Sequence, residues 1–391
     1  MVIEAPIRPR KAIQAQKSKQ RLIEIIGVVS IVLLLVVILP LALSSFRLGL
    51  LGRFLSLAIV ALGIDLIWGF TGLLSLGHGI FFALGGYAFA MFLQLNSLDT
   101  GRIPEFFGLY GVSTLPWFWQ PFYSFPFTLL AIILIPSLVA GILGYLVFRN
   151  RIRGVYFSIL TQAALVVFFN LFNGQQKWIN GTNGLKTDTS VFMGQQVGSG
   201  RMQLTFYFMT VAILVLMYVL CRWLTSGRFG RLLIAIRDDE NRVRFSGYDP
   251  TGFKVLVFAV SGAIAGIAGA LYTVQSGIVS PQYMDIAFSI EMVIWVAVGG
   301  RATLVGAILG AVLVNSARAG LSENFPEVWL FFQGALFLLV VTALPDGIVG
   351  WLRQRAPQQL RSLVGRPEPL LTYPSIELDP DVQKERQELS E

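Results

Sequence analysis

The sequence of 391 residues predicts an all-α integral membrane protein with about ten transmembrane helices. Hydrophobic residues make up 55% of the chain and charged residues only 13%, whereas a soluble domain carries about a quarter charged residues. A chain with so few charges cannot cover a surface that faces water. A helix that crosses the hydrocarbon layer needs about 20 mostly apolar residues, and the sequence contains a series of such runs.

About ten apolar runs locate the predicted spans, which together form a transmembrane domain over residues 22–351. They lie near residues 23–43, 48–69, 72–94, 126–148, 155–173, 204–224, 254–276, 286–299, 303–319 and 328–350. The runs 286–299 and 303–319 are short, so they would form either two thin spans or a re-entrant pair. An arrangement with about eight spans is therefore the alternative.

The charges in the loops predict the orientation of the chain. Its net charge is +8, and hydrophilic segments rich in Lys and Arg stay in the cytoplasm. The basic N-terminal segment 1–21, the loop 225–253 and the polar tail 352–391 are all predicted to be cytoplasmic, which an even number of spans allows. Arg47 and Arg53 fall on the other side, where only snorkelling to the interface explains them. The loop charges account for the basic balance without any binding of nucleic acid.

The residue usage excludes several kinds of chemistry. Cys221 is the only cysteine and His78 the only histidine, so a disulfide or a metal site built from these residues lacks ligands. The sequence contains no evident pair of carboxylates beside a nucleophile, so no catalytic residue is predicted. It also lacks the GxxxxGK[ST] phosphate loop. The chain is therefore expected to bind no cofactor, and any ATP would be hydrolysed by another polypeptide.

Glycine is dense in the segment 69–86, at a depth where it lowers helix stability. This segment, with His78 inside it, predicts either close packing of helix backbones or a broken helix that lines a cavity. We expect the histidine to form hydrogen bonds within the packed segment. The spacings of Gly262 with Gly266 and of Gly306 with Gly310 predict further close helix contacts.

Two acidic residues lie well inside apolar runs, Asp65 and Glu291. Insertion of such a group costs about 2.5–3.5 kcal/mol, so it usually faces a polar cavity or an ionic partner. Both are therefore candidates for a solute pathway. A structural ion pair, or a position near the interface, is the alternative.

The loop 225–253 is long, and it predicts a short amphipathic helix. Leu232, Ile236 and Val243 follow helical spacing, and Gly247 can end the helix. Such a helix would offer an apolar ridge to the groove of a soluble partner. The alternative is a helix that rests on the lipid surface.

Four motifs carry a resemblance to a known family. They are residues 72–79 (GLLSLGHG), 151–157 (RIRGVYF), 181–185 (GTNGL) and 299–306 (GGRATLVG). In these segments the chain resembles the membrane permease subunits of ABC importers of the branched-chain amino-acid type. Within that group it looks most like the longer permease subunit of urea importers, on the strength of residues 115–121, 237–248 and 289–301.

The resemblance implies a heteromeric pore in the plasma (inner) membrane of a bacterium. A second homologous permease would complete the pore. Two cytoplasmic ATPases that hold ATP-Mg would dock on it, and a periplasmic solute-binding protein would deliver the solute. The loop 225–253 would be the element that couples the pore to an ATPase. Its coupling residues would be Arg231, Leu232, Ile236, Arg237, Glu240, Arg244 and Gly247.

Two positions depart from the pattern of the family. ABC permeases often carry Glu-Ala-Ala with a glycine six residues after the Glu, whereas this chain has Asn241, Arg242 and Val243 before Gly247. The coupling loop is therefore a loose match. Asn180 stands where the family usually has a glycine.

Urea is the solute that the resemblance favours, and because it is small and neutral, amide and hydroxyl side chains would suit its path. The candidates for this path are Thr161, Gln162, Thr182 and Asn183, beside Asp65, His78 and Glu291. A branched-chain amino acid is the alternative solute, and its charged groups would need carboxylates or a half-helix end. A hypothesis from another class is a urea channel or secondary carrier that works without ATP, which would leave the loop 225–253 idle.

Overall fold

The computed structural model of the chain describes residues 26–97, 103–325 and 347–355, with scattered positions between 327 and 342. The pattern of contacts divides the chain into two compact units. One is Ile31–Trp351, and the other combines Met1–Ser30 with Leu352–Glu391. The predicted cytoplasmic segment 1–21 and most of the predicted tail 352–391 lie outside the described residues.

The described part of the chain is almost entirely helical, which confirms the predicted all-α class. The helices are α1 (Ile26–Ala42), α2 (Ser45–Thr71), α3 (His78–Asn96), α4 (Glu105–Leu109), α5 (Phe125–Arg149), α6 (Val155–Gly174), α7 (Gln176–Ile179), α8 (Gly200–Ser226), α9 (Arg228–Asp238), α10 (Glu240–Phe245), α11 (Pro250–Ser276), α12 (Ile286–Gly299), α13 (Leu304–Asn324) and α14 (Gly347–Arg355). Short 3₁₀ turns lie at Gln120–Tyr123, Gly181–Asn183 and Pro281–Met284.

Between the helices, the described residues contain four strands of two residues each. They are β1 (Leu185–Lys186), β2 (Val191–Phe192), β3 (Gln195–Gln196) and β4 (Ile278–Val279). The strand β1 pairs antiparallel with β4, so that Leu185 faces Val279, and β2 pairs with β3 in a small hairpin.

Seven of the described helices are long and apolar enough to cross a membrane, and two shorter apolar helices, α1 and α12, accompany them. Every predicted run up to residue 319 overlaps one of these nine helices. The last predicted run, 328–350, lies largely outside the described residues. Two predicted boundaries are wrong, because α3 begins at His78 rather than at residue 72, and α13 continues to Asn324.

The centre of the unit Ile31–Trp351 is formed by α2, α3 and α11, which carry most of the buried side chains. Glycines let their backbones approach closely. A Cβ atom at Gly85 of α3 would lie 2.0 Å from the carbonyl oxygen of Gly266, and one at Gly266 would lie 2.4 Å from that of Ile132 in α5. The predicted close packing at the glycine spacings is therefore confirmed.

Contacts between the helices define two ends of this unit. At one end α2 finishes and α11 begins, and we call it the α9 end because α9 and α10 lie there. At the opposite end the Arg53 side chain near the start of α2 donates from Nε to the carbonyl oxygen of Gln275, at 2.9 Å. The helix α3 reaches this opposite end, where the Gln94 amide donates to the carbonyl oxygen of Lys186.

Candidate coupling and translocation site

The chain leaves helical geometry between α2 and α3, inside the glycine-rich segment. Gly72 ends α2 with φ +73°, a left-handed conformation that favours glycine, and its N–H donates to the Trp68 carbonyl oxygen at 3.0 Å. The helix α3 begins only at His78. The broken helix expected from the glycine content is therefore present, together with the close packing that was its alternative.

Hydroxyl groups of α6 hold this non-helical segment. Ser158 Oγ donates to the carbonyl oxygen of Leu74 at 2.6 Å, and Thr161 Oγ1 accepts from the N–H of Leu76 at 3.0 Å. These bonds satisfy backbone groups that a helix would have paired internally. Thr161, predicted as a solute contact, is buried and holds the backbone, whereas the neighbouring Gln162 is half-buried.

The start of α3 is fixed to α11 and α2 by the histidine. His78 Nε2 lies 2.7 Å from Ser261 Oγ, and this hydroxyl donates to the carbonyl oxygen of Gly63 at 2.6 Å. Because the serine proton is used in that second bond, the histidine Nε2 must be the donor in the first. The rings of Phe81 and Phe258 pack edge-on against the imidazole. The expected hydrogen bonding within the packed segment is thus observed.

Asp65 is fully buried near the α9 end of α2. Its Oδ1 accepts from the N–H of Ala302 at 2.7 Å, in the turn that joins α12 to α13. Its Oδ2 has no hydrogen-bond partner among the described residues. This carboxylate therefore binds backbone rather than a second side chain, which differs from the ion pair considered as its alternative role.

Glu291 lies in a cavity of about 410 Å³ at the opposite end. Its carboxylate forms an ion pair with Arg318 of α13, as the structural alternative for this residue expected. The cavity is lined by Leu50, Arg53, Phe54, Leu57, Tyr272, Gln282, Tyr283, Asp285, Ala287, Phe288, Glu291, Asn315, Arg318, Ala319 and Ser322. Both signs of charge and several apolar side chains therefore face one space.

The remaining two predicted path residues lie on the surface of the opposite end. Thr182 and Asn183 are exposed in the turn Gly181–Asn183, and the Thr182 hydroxyl lies 2.9 Å from the side-chain amide of Gln176. Asn180, which replaces the usual glycine, has φ 60° and donates from its amide to the Gly184 carbonyl oxygen at 2.7 Å. An asparagine tolerates this left-handed conformation.

The structure therefore does not bring the predicted path residues together. They fall into three places: Asp65, His78, Thr161 and Gln162 around the helix break and the adjoining turn, Glu291 in the cavity, and Thr182 and Asn183 on the surface.

The loop predicted to be amphipathic folds into α9 and α10. Asp239 separates them and caps α10, since its Oδ1 accepts from the N–H groups of Asn241 and Arg242 at 3.0 and 3.2 Å. Gly247, with φ +86°, lies beyond the end of α10. The predicted helix is thus two short helices, separated at the Asp239 cap.

The apolar side of α9 and α10 packs inward. Ile236 and Val243 are buried and Leu232 is half-buried, so they do not form the ridge that was expected to face a partner. This part of the prediction is wrong, because helical periodicity identifies an apolar face but not what covers it. The exposed side carries instead Arg231, Arg242, Phe245 and Tyr248.

Glu240 is also buried rather than available to a partner. Its carboxylate binds Lys254 Nζ of α11, Arg244 Nη2 at 2.9 Å and Arg153 Nε at 3.1 Å. Burial alone would raise the pKa of Glu240, but the hydrogen bonds from Lys254 and Arg244 and the positive charges of Lys254 and Arg153 outweigh it and lower the pKa. The charged carboxylate ties α10 to α11 and to the segment before α6.

Arg237 joins α9 to the end of α2. Its Nη1 donates to the carbonyl oxygen of Gly69 at 2.9 Å, and its Nε binds Asp238 at 3.1 Å. A Cβ atom at Gly72 would lie 2.9 Å from Arg237 Cγ, so the glycine leaves room for this side chain. A second cavity, of about 300 Å³, lies beside this contact.

Comparison with known proteins places the chain in a family. Residues 46–341 match the family described as "Branched-chain amino acid transport system / permease component". The chain belongs to this family of permeases. The permease is 29% identical over 317 residues to the high-affinity branched-chain amino acid transport system permease protein LivM of Salmonella typhimurium, covering 75% of this chain and 68% of the relative.

Two further relatives have the same general description. The permease is 24% identical over 320 residues to the probable branched-chain amino acid transport permease protein LivM of Methanocaldococcus jannaschii, covering 74% of this chain and 89% of the relative. It is 24% identical over 308 residues to the high-affinity permease protein LivH of Escherichia coli, covering 75% and 91% of the two chains. No solved structure matches the chain.

Sequence reasoning missed three side chains that organise these sites in the permease. Arg153 and Lys254 gather around Glu240, and Arg318 pairs with Glu291. The only signal in the sequence was their charge beside or within an apolar run. Arg53 gave a clearer signal, since it lay on the side of the membrane where a basic residue was not expected.

Proposed function

We propose that this permease is the membrane subunit of an ATP-driven importer and that α9 and α10 form the surface on which a partner ATPase docks. The observation that carries this proposal is the way these helices are held. Their inner side is fixed by Glu240 and Arg237, while Phe245 is 91% and Tyr248 55% exposed beside basic residues. Helices that are bound to their own chain on one side and exposed on the other can pass the movement of a bound partner on to the rest of the chain.

The partners of the permease follow from the same proposal. A second homologous permease completes the pore, two cytoplasmic ATPases bind and hydrolyse ATP-Mg, and a periplasmic solute-binding protein delivers the solute. The permease itself hydrolyses nothing. It lies in the plasma membrane of a bacterium, with its N- and C-termini in the cytoplasm.

The exposed apolar surface of α6 bears on the proposal of a second permease subunit. In the most apolar stretch of α6 only 22% of the residues are buried within the chain, compared with 89% for α3. Apolar residues on this surface must be covered either by lipid or by another subunit. Tyr156 and Val155 at the start of α6 are 74% and 72% exposed, so we place the second permease against this surface, near the α9 end.

Branched-chain amino acids are the solutes that the cavity supports best. An α-amino acid presents a carboxylate, an ammonium group and, in this class, an apolar side chain. The cavity offers the guanidinium of Arg53, the carboxylates of Asp285 and Glu291, and apolar walls at Leu57 and Phe288. The family to which the chain belongs supports the same solute class.

Urea is the second candidate. The resemblance at residues 237–248 and 289–301 favours it, and one structural observation agrees. Glu291 is paired with Arg318, and Arg53 Nε donates to the Gln275 carbonyl oxygen, so two charged side chains of the cavity already have partners within the chain. A neutral solute rich in donors and acceptors can bind such groups without a charge of its own.

Copurification tests the docking surface. The complex of both permeases, both ATPases and the binding protein is expressed with either Phe245→Ser plus Arg242→Glu or a control, Arg201→Glu, which changes an exposed charge at the opposite end. We expect the amount of ATPase that copurifies with the first variant to fall by at least about tenfold, since aromatic and Arg side chains are typical anchors of interfaces. Equal ATPase recovery in the two variants would contradict the proposed docking surface.

A further inference from the structure

The turn between α12 and α13 is attached to the last turns of α2. Gly300 and Ala302 of this turn both have positive φ, 115° and 56°. The N–H of Ala302 donates to Asp65 Oδ1 at 2.7 Å, and the Arg301 guanidinium lies 5.5 Å from the centre of the Trp68 ring. An alanine in the left-handed region needs support from its surroundings, and the Asp65 carboxylate supplies it.

The attachment leaves no space between the two elements. A Cβ atom at Gly69 would lie 2.5 Å from the Ala302 nitrogen and 2.5 Å from Asp65 Oδ1. Real Cβ atoms do not approach other atoms so closely, so any residue larger than glycine would move the turn. The turn therefore packs directly against the backbone of α2 at Gly69.

The same glycine is bound from its other side by α9. The carbonyl oxygen of Gly69 accepts from Arg237 Nη1 at 2.9 Å. One residue of α2 thus contacts both the helix proposed to receive the ATPase and the turn at which α12 meets α13.

The two helices that this turn joins, α12 and α13, form a closely packed hairpin. A Cβ atom at Gly310 of α13 would lie 2.0 Å from the Trp295 carbonyl oxygen of α12, and one at Gly306 would lie 2.6 Å from that of Gly299. This hairpin carries Glu291 and Arg318 into the cavity at the opposite end. A displacement of its turn must therefore move groups that line the cavity.

We propose that Asp65 is a positioning residue for energy coupling. It binds the turn between α12 and α13 to the segment of α2 that also accepts a hydrogen bond from Arg237. A movement of α9 is therefore passed to the hairpin and to the cavity. This inference rests on the proposed function. It requires an acceptor atom at Oδ1 and does not require a negative charge, because the partner of Asp65 is a backbone N–H.

The test compares two variants that differ in this acceptor. The complete complex is reconstituted in liposomes with Asp65→Asn, which keeps an oxygen for Ala302, or Asp65→Leu, which has similar volume and no acceptor. The ratio of solute imported to ATP hydrolysed is measured with labelled leucine and labelled urea. We expect Asp65→Asn to stay within about twofold of the unmodified complex and Asp65→Leu to lose about tenfold of the ratio.

A matched control removes another buried polar group from the same helix. Ser56→Ala deletes a hydroxyl that donates to the Gly52 carbonyl oxygen and accepts from the side-chain amide of Gln275 in α11, with no bond to the turn between α12 and α13, and it should keep the ratio. A purely structural role for Asp65 would lower the yield of complex and leave the ratio unchanged, and that result would overturn the inference.

A second measurement applies if the leucine variant does not assemble. Hydrogen exchange of residues 300–303 is followed in the unmodified complex with and without ATP. Exchange that changes with nucleotide supports the inference, and identical exchange in the two states overturns it. Failure of the unmodified complex to import any solute with ATP would instead overturn the proposed function itself.

Discussion

Glu240 and Lys254 form a buried ion pair that joins α10 to the long helix α11 near its start. The side chains are 7% and 5% exposed, and the carboxylate also binds Arg153 and Arg244. Desolvating two charges is costly, so the pair fixes the position of α10 more than it adds to the stability of the fold. The position of the proposed docking surface therefore depends on a contact that lies behind it.

Removing one member of this pair should destabilise the permease. Glu240→Leu leaves the Lys254 ammonium buried without its main partner, which costs about 3–5 kcal/mol. Lys254→Met in the same chain removes that uncompensated charge and should restore part of the loss. Thermal unfolding of the detergent-purified protein measures both effects. A double variant no more stable than Glu240→Leu would contradict the ion-pair account.

The stability of the permease should depend on pH through the same carboxylate. The pKa of Glu240 is lowered from its ordinary value of 4.5, so its contribution is complete above that pH and is lost as the pH falls through the lowered value. The midpoint of thermal unfolding should therefore decline in acid more steeply for the unmodified protein than for Glu240→Leu. Parallel curves for the two proteins would contradict this assignment.

Close backbone packing at Gly85 should be intolerant of a methyl group. Gly85→Ala places a Cβ atom 2.0 Å from the Gly266 carbonyl oxygen, and overpacking costs about 1–3 kcal/mol or more. Gly49→Ala in α2 is the matched control, since no atom lies within 4 Å of its Cβ position. Yield and thermal stability in detergent should fall for the first variant alone. Equal losses at both positions would show that helix packing is not the cause.

The apolar runs predicted the helices well because hydropathy depends only on local composition. They failed at the start of α3, where residues 73–77 are as apolar as a helix but are bonded by Ser158 and Thr161. Those hydroxyls lie more than 80 positions away in sequence, and no local pattern reveals them. The site was predicted less well than the helices for the same reason, since the partners of Glu240 and Glu291 are brought together only by the fold.

The inward packing of α9 illustrates a related limit. Its periodicity correctly predicted an amphipathic helix, and Gly247 correctly marked the end of α10. Whether an apolar face meets a partner or its own chain depends on tertiary contacts. Ile236 is buried by the permease itself, so the exposed Phe245 takes over as the candidate anchor.

The cavity at the opposite end should distinguish a charged solute from a neutral one. Glu291→Gln removes one of the two carboxylates that the cavity offers to an amino acid's ammonium group, and the KM for leucine uptake should rise about tenfold. The KM for urea should change little. Ser322→Ala, at the edge of the same cavity, serves as the control. An unchanged KM for leucine would contradict the proposed contact of Glu291 with the amino acid.

The central claim is that this permease takes its energy from a separate ATPase through α9 and α10. The most direct measurement is uptake of labelled leucine and labelled urea into liposomes that hold the complete complex, with the phosphate-loop lysine of the ATPases intact or mutated. Accumulation of one of the two solutes against its gradient, lost on that mutation, is the predicted result. Unchanged uptake after the mutation, or uphill transport by the permease alone, would contradict the account.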